Sequence, residues 1–210
     1  MSGGGATLGR GRVRSGDAML QYQVALPAGK GGELTTRTSA SIGEATMDSA
    51  SHGITTGQVV DIFWTASGTA GVRYGVTVGT VAGTAVPFTG GAGDDLPTTS
   101  TGLTITPQVS ASVALDGDQV QLLGLELQRD DDTDTAQGHA QFFDSGASQV
   151  AQVSLERNNP SIYDVVGGDT NPFTGNPITE VRAANGSPTN AATLVVLSLE
   201  NITTTTTAAP

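Results

Sequence analysis

The chain has 210 residues and contains no cysteine. Disulfide frameworks, thiolate metal sites and cysteine nucleophiles are therefore excluded, because each requires a thiol. Aromatic residues make up only 4% of the chain. No apolar run approaches the roughly 18 residues of a membrane span, and the N-terminus lacks the apolar segment of a signal peptide. We therefore expect synthesis in a cytoplasm without a signal peptide, and no membrane partner.

Positive charge is almost as scarce, since Lys30 is the single lysine and the net charge is −11. Nucleic-acid binding requires a basic face that displaces counterions from phosphates, so we expect no nucleic-acid partner. The exception is "GRGRVRSG" at 9–16, which contains Arg10, Arg12 and Arg14. This segment is either a solvated terminus or an arm that orders against an acidic neighbouring subunit. The three arginines are therefore candidate interaction residues.

Helical periodicity is also missing, because no long stretch places apolar residues at i, i+3, i+4 and i+7. The chain instead combines 29 glycines with many threonines and valines. β-Branched side chains suit a pleated sheet, and glycine supplies the positive φ that tight turns need. The sequence predicts an all-β protein.

The chain divides into four segments by composition and pattern. Residues 1–16 form a Gly/Arg-rich arm, and residues 202–210 form a Thr-rich tail; both are predicted to be flexible. Residues 17–106 form a first β domain, in which four or five short strands predict a small SH3-like barrel. Residues 107–201 carry six or seven longer strands and predict a β-sandwich or jelly roll.

The stretch "SHGITTGQVVDIFW" at 51–64 combines a rare histidine with the only tryptophan. A strand period of two places Val60, Ile62 and Trp64 on one face and Asp61 and Phe63 on the other. Large aromatic residues are usually well buried, so Trp64 is predicted to fill the barrel rather than to form a ligand platform.

The following segment, "GVRYGVTVGTV", has the same alternation. The period predicts that Val72, Tyr74, Val76 and Val78 share one face of the next strand.

The acidic segment "RDDDTDTAQGHAQ" is the sharpest local motif. Asp130, Asp132 and Asp134 occupy the first, third and fifth positions of an EF-hand-type calcium loop. Thr135 replaces the required glycine, and Gln141 replaces the bidentate glutamate. The motif predicts a solvated acidic loop, with a calcium site at these three carboxylates as the alternative. No other cofactor is expected.

The two histidines lie in no recognisable catalytic or zinc-binding motif. His52 and His139 are predicted to be turn or strand-end residues with local hydrogen bonds. A Ser-His-Asp triad meets only in space, so the sequence does not test it. No catalytic residue is predicted.

Two segments match the N-glycosylation sequence rule, at Asn185-Gly186-Ser187 and Asn201-Ile202-Thr203. They would matter only in a eukaryotic secretory pathway, which the missing signal peptide argues against.

The segment "HGITTGQVVDIFW", followed by "RYGVTVGTVAGTAVPFTGGAGDDLP", resembles parts of structural proteins of tailed-bacteriophage virions. The resemblance covers about 50 residues of the first β domain. It implies a small barrel beside a β-sandwich or jelly roll, in a virion component such as a capsid decoration protein or a head–tail accessory protein. It implies no catalytic residues.

The leading hypothesis is therefore a non-enzymatic capsid decoration (cement) protein of a phage virion. Its expected partners are capsid or other virion proteins and further copies of itself, with a trimer as one expected form. The arm and tail suit this role, since ordering a segment on binding wraps a large surface. The alternatives are a receptor- or glycan-binding adhesin using Trp64, and a cell-wall hydrolase using Asp130 or Asp132.

Overall fold

The computed structural model describes residues 17–98, 101–115, 120–131, 133–155, 161–164 and 177–201. These residues form β-strands joined by turns and loops, which confirms the all-β prediction. Within them, no helix is long and apolar enough to cross a membrane. The strands are β1 (Asp17–Leu26), β2 (Lys30–Ser39), β3 (Ile42–Met47), β4 (Val59–Ala66), β5 (Thr69–Val78), β6 (Ala85–Gly93), β7 (Gly102–Pro107), β8 (Val109–Leu115), β9 (Val120–Gln128), β10 (Gly138–Asp144), β11 (Gln149–Leu155), β12 (Ser161–Asp164), β13 (Ile178–Asn185) and β14 (Ala192–Asn201).

Eight of these strands form two antiparallel four-stranded sheets, β1-β14-β9-β12 and β11-β10-β13-β8. Numbered from one to eight in chain order, the strands run 1-8-3-6 in the first sheet and 5-4-7-2 in the second. The first strand therefore pairs with the eighth, the second with the seventh, the third with the sixth, and the fourth with the fifth. This nesting is the jelly-roll arrangement of two Greek keys.

A single apolar core fills the space between the two sheets. Alternate residues of both sheets contribute to it, including Leu125 and Leu194 from one and Phe142 and Val181 from the other, all fully buried. At one side, the Tyr22 hydroxyl on β1 donates to the Ala114 carbonyl and accepts from its N–H on β8, at 3.1 and 3.0 Å. The predicted β-sandwich or jelly roll is confirmed.

The remaining six strands form a closed barrel in the order β2-β3-β6-β5-β4-β7, which the β2–β7 pairing completes. Val60, Ile62 and Trp64 lie in its core together with Val76 and Phe88, as the two-residue period of β4 predicts. The tryptophan that stood out in the sequence is a barrel residue with 8% of its surface exposed.

The strand count of the barrel corrects the prediction of four or five. The prediction missed β2 and β3. In β2 the side chains from Thr35 to Arg37 are exposed, so the strand has little apolar alternation in the sequence. A barrel strand with one short buried stretch has too little apolar alternation to be recognised.

The prediction of one shared face on β5 is also corrected. Val76 and Val78 lie in the barrel core, whereas Val72 and Tyr74 lie on the outside against the jelly roll. The pairing of β4 and β5 shifts register between Val60 and Ile62, and Gly75 has a φ of +66° at this point. A bulge of this kind exchanges the two faces of a strand, and glycine adopts the required φ without a steric penalty.

The predicted start of the first domain changes as well. β1 pairs along its whole length with β14, so residues 17–26 belong to the jelly roll, and the barrel begins at β2. The barrel is thus an insertion between the first two strands of the jelly roll. The alternation of β1 predicts a strand but contains no information about a partner that is distant in sequence.

The arm and the tail lie outside the described residues. The two described residues next to them, Asp17 and Asn201, face each other at one end of the β1–β14 ladder. Leu26 and Ala192 face each other at the opposite end, beside the barrel. Both terminal segments therefore connect to the end of the jelly roll that is farthest from the barrel.

Substitution of Gly71 should destabilise the barrel. A Cβ atom at Gly71 would lie 2.4 Å from Cε2 of Trp64, its cross-strand neighbour. Such overpacking typically costs about 1–3 kcal/mol, so Gly71→Ala should lower the free energy of unfolding in urea by that amount. Gly102→Ala is the matched control, because its Cβ would meet no atom within 4 Å. Equal losses in the two variants would contradict the packing of Trp64 on Gly71.

Candidate functional site

An open cleft of about 1,080 Å³ lies where the barrel meets two loops of the jelly roll. One loop follows β9 and contains the acidic segment, and the other joins β13 to β14. Barrel residues from β2, β4, β5 and β7 form the opposite wall. The cleft therefore requires both the barrel and the jelly roll, which are the two lobes of the chain, and it is absent from either alone.

Arg129 fixes the acidic loop at its base. This residue directly follows β9, and its side chain is fully buried. Its Nε and Nη2 donate to Oδ1 of Asn185 at 3.1 and 2.6 Å, and its Nη groups also donate to the carbonyls of Ala136 and Gln137. A guanidinium carries five donors in a planar fork, which suits the closure of such a loop around it.

Asn185 is the second fixed point, at the end of β13. Its Oδ1 also accepts from the Ser187 N–H at 3.1 Å, and its Nδ2 donates to the Asn190 carbonyl at 2.6 Å. Its main-chain carbonyl accepts from Thr106 Oγ1 in the barrel at 2.7 Å. Asn185 is fully buried, so this first glycosylation sequence has no accessible acceptor nitrogen. The second one, at Asn201, extends outside the described residues.

Two carboxylates of the acidic loop line the cleft and accept hydrogen bonds from protein groups. Asn190 Nδ2 donates to Asp131 Oδ2 at 3.2 Å and to Asp134 Oδ2 at 2.9 Å. Thr133 donates its N–H and hydroxyl to Asp131, and the Ala136 N–H donates to Asp134. These bonds shape the loop through local turns without requiring a cation.

The calcium candidates are not all brought together by the structure. Asp130 is exposed, Asp134 faces Asn190, and Asp132 lies outside the described residues. Among the described residues, no group of three His, Asp or Glu side chains has the geometry to hold a metal ion. Calcium binding at Asp130, Asp132 and Asp134 stays a prediction.

The electrostatics of the loop favour ionised carboxylates. The N–H of Thr133, followed by its hydroxyl, lowers the pKa of Asp131. Burial of Asp134 acts to raise its pKa, but hydrogen bonds from Ser187, Asn190 and Ala136 and the Arg129 charge together bring it below the usual value. Both groups are therefore charged at neutral pH.

Trp64 reaches the cleft from the barrel side, together with Phe63 and Gly71. The indole ring lies across the bare backbone of Gly71, and its N–H donates to none of the described residues. The ring is largely covered, so it does not form the open aromatic platform that the adhesin hypothesis requires.

The sequence missed a buried polar junction between the lobes, centred on Asp61 and His139. His139 Nδ1 on β10 lies 3.3 Å from Asp61 Oδ2 on β4, without the alignment of a hydrogen bond. The His139 ring stacks on Tyr74 of β5, with centroids 4.2 Å apart and 15° between the planes. Both members of the pair are almost completely buried. Strand-end placement of His139 was predicted correctly, but its contacts are not local.

Gln108 completes this junction at the point where the chain leaves the barrel. Its Nε2 donates to Asp61 Oδ1 and to Gln141 Oε1, each at 2.7 Å, and the Gly75 N–H also donates to Asp61 Oδ1 at 2.9 Å. His52 makes the local hydrogen bond that was predicted, with Nδ1 accepting from the Ile54 N–H at 3.0 Å, and its Nε2 also donates to the distant Gly83 carbonyl at 3.1 Å. One sequence feature could have pointed to Asp61: it is an ionisable residue between Val60 and Ile62, which are both core residues.

The arm candidates Arg10, Arg12 and Arg14 lie outside the described residues. Their role as interaction residues stays a prediction.

Loss of the His139 side chain should weaken the attachment of the barrel. His139→Ala removes the stacking on Tyr74 and the polar neighbour of the buried Asp61 carboxyl group, and loss of a partner from a buried polar group typically costs about 1–3 kcal/mol. Trp64 fluorescence reports on the barrel, and far-UV circular dichroism reports on all strands. We expect the two urea transitions to separate in His139→Ala and to coincide in His52→Ala, whose contacts lie within the barrel. Coincident transitions at the wild-type midpoint in His139→Ala would contradict the junction.

The acidic loop should make stability depend on pH below about 4. A carboxyl group whose pKa is lower in the folded chain stabilises the fold above the unfolded pKa, and this contribution disappears as the pH falls through the folded pKa. The melting temperature of Asp134→Asn should therefore fall less between pH 5 and pH 3 than that of the wild type. Thr135→Ala is the neighbouring control and should keep the wild-type slope. An identical slope in Asp134→Asn would show that Asp134 does not contribute.

No protein-family model matches the chain. No curated protein matches it. Among solved structures, the chain is similar to the crystal structure of the STIV MCP, an archaeal virus major capsid protein. The alignment covers 88% of this chain and 96% of that chain, with 12% identity and a TM-score of 0.24. A likeness of this size carries no argument, so the functional conclusions depend on the strand order and the site described above.

Proposed function

We propose that the chain is a non-enzymatic structural protein of a virion, and specifically a phage capsid decoration protein that docks over joints between capsid subunits. The observation that carries the proposal is the eight-stranded jelly roll with its nested strand pairing. Jelly rolls form viral capsid domains, and also lectins and cupins. Because a fold does not determine function, the proposal also depends on the features that follow.

The first supporting feature is the rigid attachment of the barrel. A cement protein acts mechanically, so its two lobes must transmit force instead of moving apart. Asp61, His139 and Gln108 join them through buried polar contacts, and Phe63, Val72 and Ala184 form an apolar cluster between them. Buried polar groups permit few alternative arrangements, because each displaced group would lose its partners.

The second supporting feature is the placement of the terminal segments. Residues 1–16 and 202–210 both connect to the end of the jelly roll at Asp17 and Asn201. Two segments leaving from one end suit a protein that ties onto neighbouring subunits, in a homo-oligomer such as a trimer, within a virion. Association through such segments buries surface that must be re-exposed before the shell opens.

The test compares particles that carry the protein with particles prepared without it. Genome release on heating, measured with a DNA-binding dye, should occur at a lower temperature in the particles without the protein. Adding back the purified wild-type chain should restore the higher temperature. Addition of His139→Ala should restore it less, because its lobes are expected to separate more easily.

Two outcomes would overturn different parts of this proposal. Equal release temperatures with and without the protein would remove the cement role. Absence of the chain from purified particles would remove the virion role altogether.

A second candidate function is glycan binding, since jelly rolls also form lectins. The cleft favours it, because Asp48 and Asn190 supply polar groups for sugar hydroxyls. Trp64→Ala is a poor test of this candidate, since Trp64 belongs to the barrel core. Asp48→Ala is better, with Ser154→Ala on β11 as a distant exposed control. Glycan-array binding that Asp48→Ala abolishes and Ser154→Ala retains would support this candidate.

A further inference from the structure

The charge of the cleft has one sign. Among the described residues, the charged groups that line it are Asp48, Asp131 and Asp134, and no lysine or arginine lines it, although Arg129 lies behind Asp134 with Nη1 3.8 Å from Oδ1. We propose that this cleft binds the arginine-rich segment 9–14 of a second copy of the chain. The proposal stands apart from the virion role, because it concerns an association between copies that would exist in solution.

A second, independent feature of the cleft points to a peptide ligand. Trp64 is 92% buried and lines the cleft, and its indole N–H donates to none of the described residues; the nitrogen itself is not fully buried, so it is a free donor. The indole N–H of a largely buried tryptophan usually has an acceptor, which here is either water or a ligand. A metal ion offers no acceptor, whereas the backbone of a peptide offers a carbonyl at every residue. The ligand that satisfies both features carries positive charge on a peptide backbone.

The carboxylates are already positioned for guanidinium groups. Asp131 and Asp134 are held close together because both accept from the same Asn190 amide nitrogen. An ionised carboxylate accepts about four hydrogen bonds in total, and each of the two already accepts from protein groups, so each keeps the capacity for about one further bond. A guanidinium carries five donors in a planar fork, so one arginine can donate to both carboxylates, whereas a lysine ammonium is a compact point charge. The arm contains three arginines and no lysine.

The sequence of the arm suits this wall of the cleft. In "GRGRVR", Arg10, Arg12 and Arg14 recur every second residue, so an extended peptide would present all three side chains on one side. Six glycines line the cleft and leave bare backbone against which such a peptide can lie, namely Gly31, Gly32, Gly68, Gly71, Gly102 and Gly186. Gly9 and Gly11 remove side chains that would otherwise stand between the arginines.

The geometry assigns the arm to another copy, because a chain's own arm is too short. β1 runs ten residues from Asp17 to Leu26, which is about 30 Å at the rise of a strand. The cleft lies beyond its far end, since the Gly29 N–H donates to the Ser187 carbonyl in the cleft wall. Arg14 precedes Asp17 by three residues, so its Cα atom lies at most roughly 11 Å from that of Asp17. The Cα atom of Arg10 lies at most roughly 25 Å from it. The three arginines cannot occupy their own cleft together.

Disulfide trapping tests this assignment directly, because the chain has no native cysteine. Val13→Cys places a thiol between Arg12 and Arg14 and keeps all three arginines. Thr135→Cys places one at an exposed position in the cleft and keeps all its carboxylates. Mixing the two full-length variants under mild oxidation should give a covalent heterodimer at least tenfold faster than mixing Val13→Cys with Ser154→Cys.

The charge requirement has its own matched variants. Conversion of Arg10, Arg12 and Arg14 to Gln in the Val13→Cys chain should abolish the fast cross-link, and conversion to Lys should slow it while retaining part of it. Sodium chloride at 1 M should slow it as well, since the screening length falls to about 3 Å. The substituted positions lie outside the described residues, and far-UV circular dichroism of each variant checks that the strands are retained.

Three results would overturn the proposal. Cross-linking no faster than the Ser154→Cys control would remove the cleft as the binding site. Equal rates for the Gln and Lys variants would remove the role of charge. A cross-link within one chain in a dilute Val13→Cys/Thr135→Cys double variant would show that the arm folds back on its own copy. None of these results depends on whether the chain is found in particles.

Discussion

The carboxylate of Asp61 is the constraint on which the arrangement of the two lobes depends. It is a fully buried polar group on the outer face of a barrel strand, and burial of such a group is costly unless other polar groups lie around it. Those partners come from both lobes: Gly75 from the barrel, His139 from the jelly roll, and Gln108 from the connection between them. The barrel is an insertion held by two chain crossings, so these contacts determine how it sits on the sheet.

The cleft is a consequence of that fixed orientation. Its walls belong to both lobes, and its floor depends on Arg129 and Asn185, which join the loop after β9 to the loop after β13. The polar groups of both residues are used for hydrogen bonds within the fold. They hold Asp131, Asp134 and Asn190 at the rim, where the acceptor groups are available.

Jelly-roll architecture narrows the functional classes without selecting one, since capsid proteins, lectins and cupins share it. The features that distinguish this chain are a second lobe that packs on the outer face of one sheet through buried contacts, an acidic cleft at the junction, and terminal segments whose attachment points, Asp17 and Asn201, lie at the opposite end. The acidic cleft and the arginine-rich arm, which is attached at the other end, would form a complementary pair between copies. Such a head-to-tail contact is heterologous, and it closes into a ring when the rotation between copies permits.

The sequence by itself determined the local structure, because side-chain period and turn residues act over a few positions. It predicted the all-β class, a small barrel followed by a jelly roll, and the burial of Val60, Ile62 and Trp64. It did not predict the bulge at Gly75, which exchanges the faces of β5, or the pairing of β1 with β14. Only the tertiary structure brought Asp61 to His139, buried Asn185 and placed Trp64 in the same cleft as the acidic loop. Each of these depends on contacts between residues dozens of positions apart, and a period of two along one strand contains no information about which strand lies opposite.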